Sequence, residues 1–215
     1  MTPDWRLNHL QSRDLAVARG GRVLLDRLDL SVGPGEALVL RGPNGVGKTT
    51  LLRTLAGLQA PHAGSIDAPS DSLTYAGHAD GIKSALSLRE NLVFWAAVHG
   101  QPERVDSALA QMGLTALAPR RAAELSAGQK RRLGLARVLV CGRWLWLMDE
   151  PTVSLDTTST SLFAEAVTRH LGAGGAVIIA SHLDLGLAGA RALDLAPHRA
   201  APAAPRPGGF EGAFA

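Results

Sequence analysis

The chain has a single cysteine, Cys141, and only three lysines, Lys48, Lys83 and Lys130, in 215 residues. One cysteine excludes an internal disulfide framework and suits a reducing compartment. No window approaches about 18 uninterrupted apolar residues, so the chain is not expected to span a membrane by itself. The opening "MTPDWRLNHLQSRDL" lacks the apolar stretch of a signal peptide, and a cytoplasmic protein is expected. Charged residues make up 19%, which is little for a fully solvated surface, so a partner is expected to cover part of it. The net charge is only +3 and arginine supplies most of the positive side. The densest basic cluster, "KRR" at 130–132, has none of the interleaved aromatics of a nucleic-acid surface, and no nucleic-acid partner is expected. What is present is 46% apolar residues, enough for one sizeable core and too many for a disordered chain.

Short apolar runs around Gly20 and Gly21 read as strands joined by a tight turn. "EALVLRG", 36–42, reads as a buried strand entering a glycine-rich loop, and "KTTLLRTLAGL", 48–58, as the helix after it. Helices are expected at 87–100, 102–113, 126–140 and near 157–171, and buried strands at 143–149 and 175–181. That alternation predicts an α/β fold with a parallel sheet. The Ala/Pro/Gly-rich tail has little to bury, and 197–215 is expected to be mobile.

"GPNGVGKTT" matches G-x-x-x-x-G-K-[ST] between a strand and a helix, the context a phosphate-binding loop requires. Its residues are Gly42, Pro43, Asn44, Gly45, Val46, Gly47, Lys48, Thr49 and Thr50. Backbone N–H groups would cradle phosphate oxygens, Lys48 would reach the β- and γ-phosphates, and Thr49 would ligate Mg²⁺. About a hundred residues later the strand "RWLWLMDE" ends in Asp149, placed to hold the water shell of Mg²⁺, and Glu150, placed to act on the attacking water. "LSAGQ", 125–129, starts a helix with Ser126, Ala127, Gly128 and Gln129, offering a hydroxyl and amides to an anion.

Together these motifs resemble the ATP-binding cassette (ABC) family over roughly residues 10–196, taken as one domain beginning at residue 1. The resemblance implies a P-loop NTPase with a RecA-like parallel sheet, an antiparallel β subdomain and a helical subdomain at about 79–140. It implies a homodimer holding two ATP molecules, each between Gly42–Thr50 of one copy and Ser126–Gln129 of the other. Asp156 in "SLD" resembles the residue that acts across that interface, and His182 in "IIASHLDL" the histidine that contacts the γ-phosphate. Catalysis would then rest on Glu150, His182 and Lys48, with ATP and Mg²⁺ bound. Three departures stand out. Arg19 occupies the place of the aromatic that stacks on adenine, and a guanidinium can also stack on a base, though less firmly. Ala127 replaces a glycine. Few residues separate Gly64 from Tyr75, so the β subdomain is expected to be reduced.

His78 is the fourth departure, because a glutamine is expected there. An imidazole can accept from a Mg²⁺-bound water, or His78 can serve contact with a partner alone; both readings stand on the sequence. Its surroundings, "YAGHADGIKSALSLRENL", resemble the ATP-binding subunits of cytochrome c maturation, also described as haem exporters. That resemblance implies a peripheral protein on the cytoplasmic face of a bacterial inner membrane. Residues 78–92 would meet integral membrane subunits, and a haem chaperone would be reached indirectly. It would power haem export or release of a haem-loaded periplasmic chaperone. An ABC transporter for an unrelated small molecule, a cassette ATPase acting on DNA or ribosomes, and a nucleotide-binding module without turnover are the competing readings. The run from Gly77 to Lys83 argues against the first, the compact single cassette against the second, and Glu150 with His182 against the third.

Overall fold

The computed structural model describes residues 5–201. Two sheets organise it. β1 (Leu10–Arg19), β2 (Arg22–Val32) and β4 (Ala63–Asp67) form a small antiparallel sheet in the order β2-β1-β4. β3 (Ala37–Arg41), β5 (Leu73–Ala76), β6 (Leu145–Asp149), β7 (Ala176–Ala180) and β8 (Arg191–Asp194) form a parallel sheet in the order β5-β6-β7-β3-β8. The fold is therefore α/β with a RecA-like arrangement, as expected. β8 had no expectation behind it: "RALD" has a single large apolar residue and its burial pattern is largely exposed, as suits an edge strand.

The central strands are buried on both faces, and their two sets of side chains feed separate cores. Leu145, Leu147, Ile178 and Leu40 face β1, β2 and α1 (Lys48–Leu55). Trp146, Met148, Val177 and Ile179 face the helical side. That side is built by α2 (Leu88–Val98), α3 (Val105–Gln111), α4 (Ala127–Val140) and α5 (Thr157–Gly172). The period of two along each strand explains why both cores are continuous while the strands read as unbroken apolar runs.

The helices start where their caps allow. Ser87 and Glu90 close a capping box on α2, and Ser126 and Gln129 close another on α4. Residues 102–113 hold a short 3-10 turn, Pro102–Arg104, ahead of α3, so one expected helix is two unlike segments. Only residues 68–72 separate β4 from β5, which leaves the antiparallel sheet at three strands. Packing continues to Ala200, whose N–H donates to Leu24 O at 3.0 Å, while residues 202–215 of the expected mobile tail lie outside the described residues.

Candidate active site

The C-terminal ends of β3, β5 and β6 open into one cleft of about 230 Å³. It is lined by residues of the 42–50 loop together with Arg19, Leu24, His78, Asp149 and Glu150. A crevice at the carboxyl ends of parallel strands is where open α/β sheets take ligands. Gly47 caps α1 at φ 122°, a conformation that only glycine adopts without strain, and a Cβ there would meet Leu25 at 3.2 Å. No side chain caps this helix and no acidic residue stands in its first turn, so its amides and positive end stay free for an anion.

Lys48 is buried, and Nζ donates to Gly42 O at 2.8 Å. The same nitrogen lies 3.3 Å from His182 Nε2, which also lies 2.9 Å from Asn44 Oδ1 and 3.4 Å from Glu150 Oε1. Lys48, Asn44 and Glu150 thus meet on the His182 imidazole. Arg41 helps fix this: its Nη1 donates to Ser181 O, next to His182, at 2.6 Å.

The carboxylates are under-satisfied. Asp149 Oδ2 and Glu150 Oε1 are buried and take no hydrogen bond. His78 Nε2 is 3.5 Å from Asp149 Oδ2, too long for a firm bond. Burial, and then the Asp149 carboxylate, push the Tyr75 hydroxyl up from its usual range. Leaving such an acceptor bare costs about 1–3 kcal/mol, which a ligand can relieve. Beside the Thr49 hydroxyl, this set of oxygens suits a hard divalent cation that keeps waters and takes phosphate oxygens. Glu150 itself sits at φ 46°, and its N–H donates to Ala180 O at 2.8 Å, which fixes where its side chain leaves β6.

The model of the ABC transporter family matches residues 25–153. The chain belongs to the ABC transporter family. It is 62% identical over 200 residues to the cytochrome c biogenesis ATP-binding export protein CcmA of Rhodobacter capsulatus, covering 93% of this chain and 92% of that one. It is 56% identical to CcmA of Paracoccus denitrificans, covering 97% and 100%. Among solved structures, an ABC transporter ATP-binding protein from Pyrococcus furiosus superposes with a TM-score of 0.80 at 26% identity, covering 89% of this chain and all of that one. The chain is an ABC-type ATPase that binds nucleotide.

Within one copy of this ABC ATPase, the expected residues fall into two places. Arg19, the 42–50 loop, His78, Asp149, Glu150 and His182 meet at the cleft. Ser126–Gln129 and Asp156 do not line it. Ser126 Oγ accepts from Gln129 N at 3.2 Å, and Gln129 Oε1 accepts from Ser126 N at 3.0 Å, so both side chains close their own helix start. Gly128 faces Ser154 O, which a Cβ would meet at 3.1 Å. Asp156 Oδ1 accepts from Ser159 N at 2.7 Å, and the Ser159 hydrogen bonds hold its carboxyl below the usual range.

Two contributors were not foreseen. Leu24 lines the cleft beside Arg19 and carries no motif. Arg131 is buried among backbone oxygens behind the carboxylates. Its signal was in the sequence: Arg131, Leu135 and Val138 share one helical face, so the middle residue of "KRR" points inward.

Proposed function

We propose that the chain is the ATP-hydrolysing subunit of a membrane ABC complex for cytochrome c biogenesis, powering haem export or release of a haem-loaded periplasmic chaperone. The observation that carries this reading is the 62% identity to a cytochrome c biogenesis ATP-binding export protein across nearly the full length of both chains. The cleft supports the hydrolytic half of it. The β- and γ-phosphates of ATP lie on the free amides at the start of α1 and on Lys48, which exchanges Gly42 O for phosphate oxygen. Thr49, and Asp149 through water, would hold Mg²⁺, which would supply neutralisation of charge on the phosphates. Glu150 orients the attacking water and accepts its proton. His182, already within reach of Lys48 and Glu150, meets the γ-phosphate. Arg19 lies at the cleft wall, where its guanidinium stacks on the base.

Ser126–Gln129 and Asp156 serve the cleft of a second copy, which is why they face away from their own. Residues 78–92 form the contact with integral membrane subunits. Beyond them α2 presents Val93, Phe94 and Val98 to solvent, with Lys83 Nζ 3.9 Å over the Phe94 ring. No helix among the described residues is long and apolar enough to cross a membrane. In this reading the protein holds to the cytoplasmic face of the inner membrane through those subunits. The test uses ATP labelled at the γ-phosphate. Phosphate release should require Mg²⁺ and vanish in Glu150→Gln, while that variant still binds ATP and gathers as a dimer. Release by Glu150→Gln at the unaltered rate would overturn the site assignment.

A further inference from the structure

We infer that Arg131 is the positioning residue that ties the His78 segment to the carboxylate end of β6, with Asp80 as its switchable partner. The guanidinium is buried on α4, just inside the Ser126–Gln129 helix start. One edge faces the end of β6: Nε donates to Pro151 O at 3.0 Å, and Nη2 to Glu150 O at 2.8 Å. The other edge faces the segment after β5: Nη1 donates to Gly77 O at 3.0 Å and to Asp80 Oδ1 at 2.9 Å. A planar fork with fixed donor directions meets both segments at once, which a lysine could not do. His78 lies between the two residues held on the second edge, and Glu150 is gripped by its own carbonyl on the first.

The approach of Asp80 is built into α4. A Cβ on Gly134, one turn after Arg131, would stand 2.7 Å from Asp80 Oδ1 and 2.8 Å from its Cβ. Only a residue without a side chain admits the carboxylate there. The far end of the segment is pinned separately: Asn91 Oδ1 accepts from Lys83 N at 2.8 Å, and Asn91 Nδ2 donates to Lys83 O at 3.0 Å and Ser87 O at 2.9 Å. The segment therefore hangs between a fixed anchor at Asn91 and an ionic one at Asp80. Of the brace's partners, Asp80 is the only side chain; its side chain is 23% exposed against 8% for that of Arg131, so Asp80 is the contact that can open. Displacement of residues 78–92 then reaches Glu150 through one guanidinium, without passing through the nucleotide.

The inference rests on Glu150 acting on the attacking water, and the experiment separates the two. ATP hydrolysis by the chain in its native membrane complex is measured for Asp80→Asn, Gly134→Ala, Arg131→Lys and Glu150→Gln, together with ATP affinity and thermal stability of the purified chain. Asp80→Asn should lower kcat about tenfold, with KM, ATP affinity and melting temperature close to wild type. Gly134→Ala should reproduce this, and Asp80→Asn combined with Arg131→Lys should cost no more than Arg131→Lys alone. Wild-type kcat in Asp80→Asn, additive losses in the double variant, or losses that follow melting temperature would overturn the brace. If Glu150→Gln still hydrolyses ATP, the site reading fails and the brace with it.

Discussion

His78 Nε2 lies 3.5 Å from Asp149 Oδ2, an oxygen that is buried and takes no hydrogen bond. That places the unexpected histidine on the cleft side, against the carboxylate. Its side chain is 65% exposed, so it is held by position and not by packing. His78→Ala should lower kcat about tenfold with little change in ATP affinity, and His78→Gln should stay within about threefold of wild type, because an amide also offers donor and acceptor. An alanine variant as active as wild type would assign His78 to partner contact alone.

Substitution of Asp149 should move function and stability in opposite directions. Asp149 is 1% exposed, with one buried oxygen that takes no hydrogen bond. Asp149→Asn should stabilise the nucleotide-free chain by about 1 kcal/mol, read from urea unfolding, because a buried charge is removed without a cavity. The same variant should lose hydrolysis at least about a hundredfold, as should wild type on removal of Mg²⁺ by EDTA. A destabilised Asp149→Asn would mean that the carboxylate has a structural partner.

The cleft was legible in the sequence because its residues are dictated by chemistry at fixed spacing. A loop that wraps phosphate needs Gly42, Gly45 and Gly47 with Lys48 and Thr49, and the strand ending in Asp149–Glu150 can only be buried by apolar residues. The alternating sheet and the helices were legible for the same reason, through period and caps. β8 was not, because an exposed edge strand of four residues leaves no pattern. Arg131 was legible only through the helical face it shares with Leu135 and Val138, because a buried arginine satisfied by carbonyls otherwise looks in sequence like a surface one. Leu24 was not, because lining a cleft needs no residue type that local sequence marks.

His170 carries a prediction about pH. Its ring stacks on Trp146 at 3.8 Å between centroids and 8° between planes, with Nε2 2.8 Å from Trp144 O. Burial pushes its pKa from 6.5 down to about 4. The unfolded chain therefore binds this proton below about pH 6.5 while the folded chain refuses it until about pH 4, so stability falls as pH falls through that window. Between pH 7.5 and 5 this one group should remove about 2 kcal/mol. Urea midpoints should show that slope, and His170→Phe should flatten it whatever its absolute stability. An unchanged slope in the variant would move the effect to other groups.

Gly64 tests the small sheet. It sits at φ 79° in β4, and a Cβ would stand 2.3 Å from Asp14 O. Gly64→Ala should cost about 3 kcal/mol or more, because both the backbone conformation and the strand approach forbid the methyl group. Gly20→Ala, with nothing within 4 Å but a positive φ, should cost about 1 kcal/mol. Equal losses would show that β1 and β4 can separate without consequence.

The central claim is that ATP hydrolysis at Glu150 drives cytochrome c biogenesis. The most direct measurement replaces Glu150 with Gln on the chromosome of the native host and stains membrane and periplasmic proteins for covalently bound haem. Near-complete loss of haem-stained c-type cytochrome bands is expected, with other haem proteins intact and the variant present at wild-type levels. Unchanged c-type bands would contradict it and leave an ABC ATPase whose work lies elsewhere.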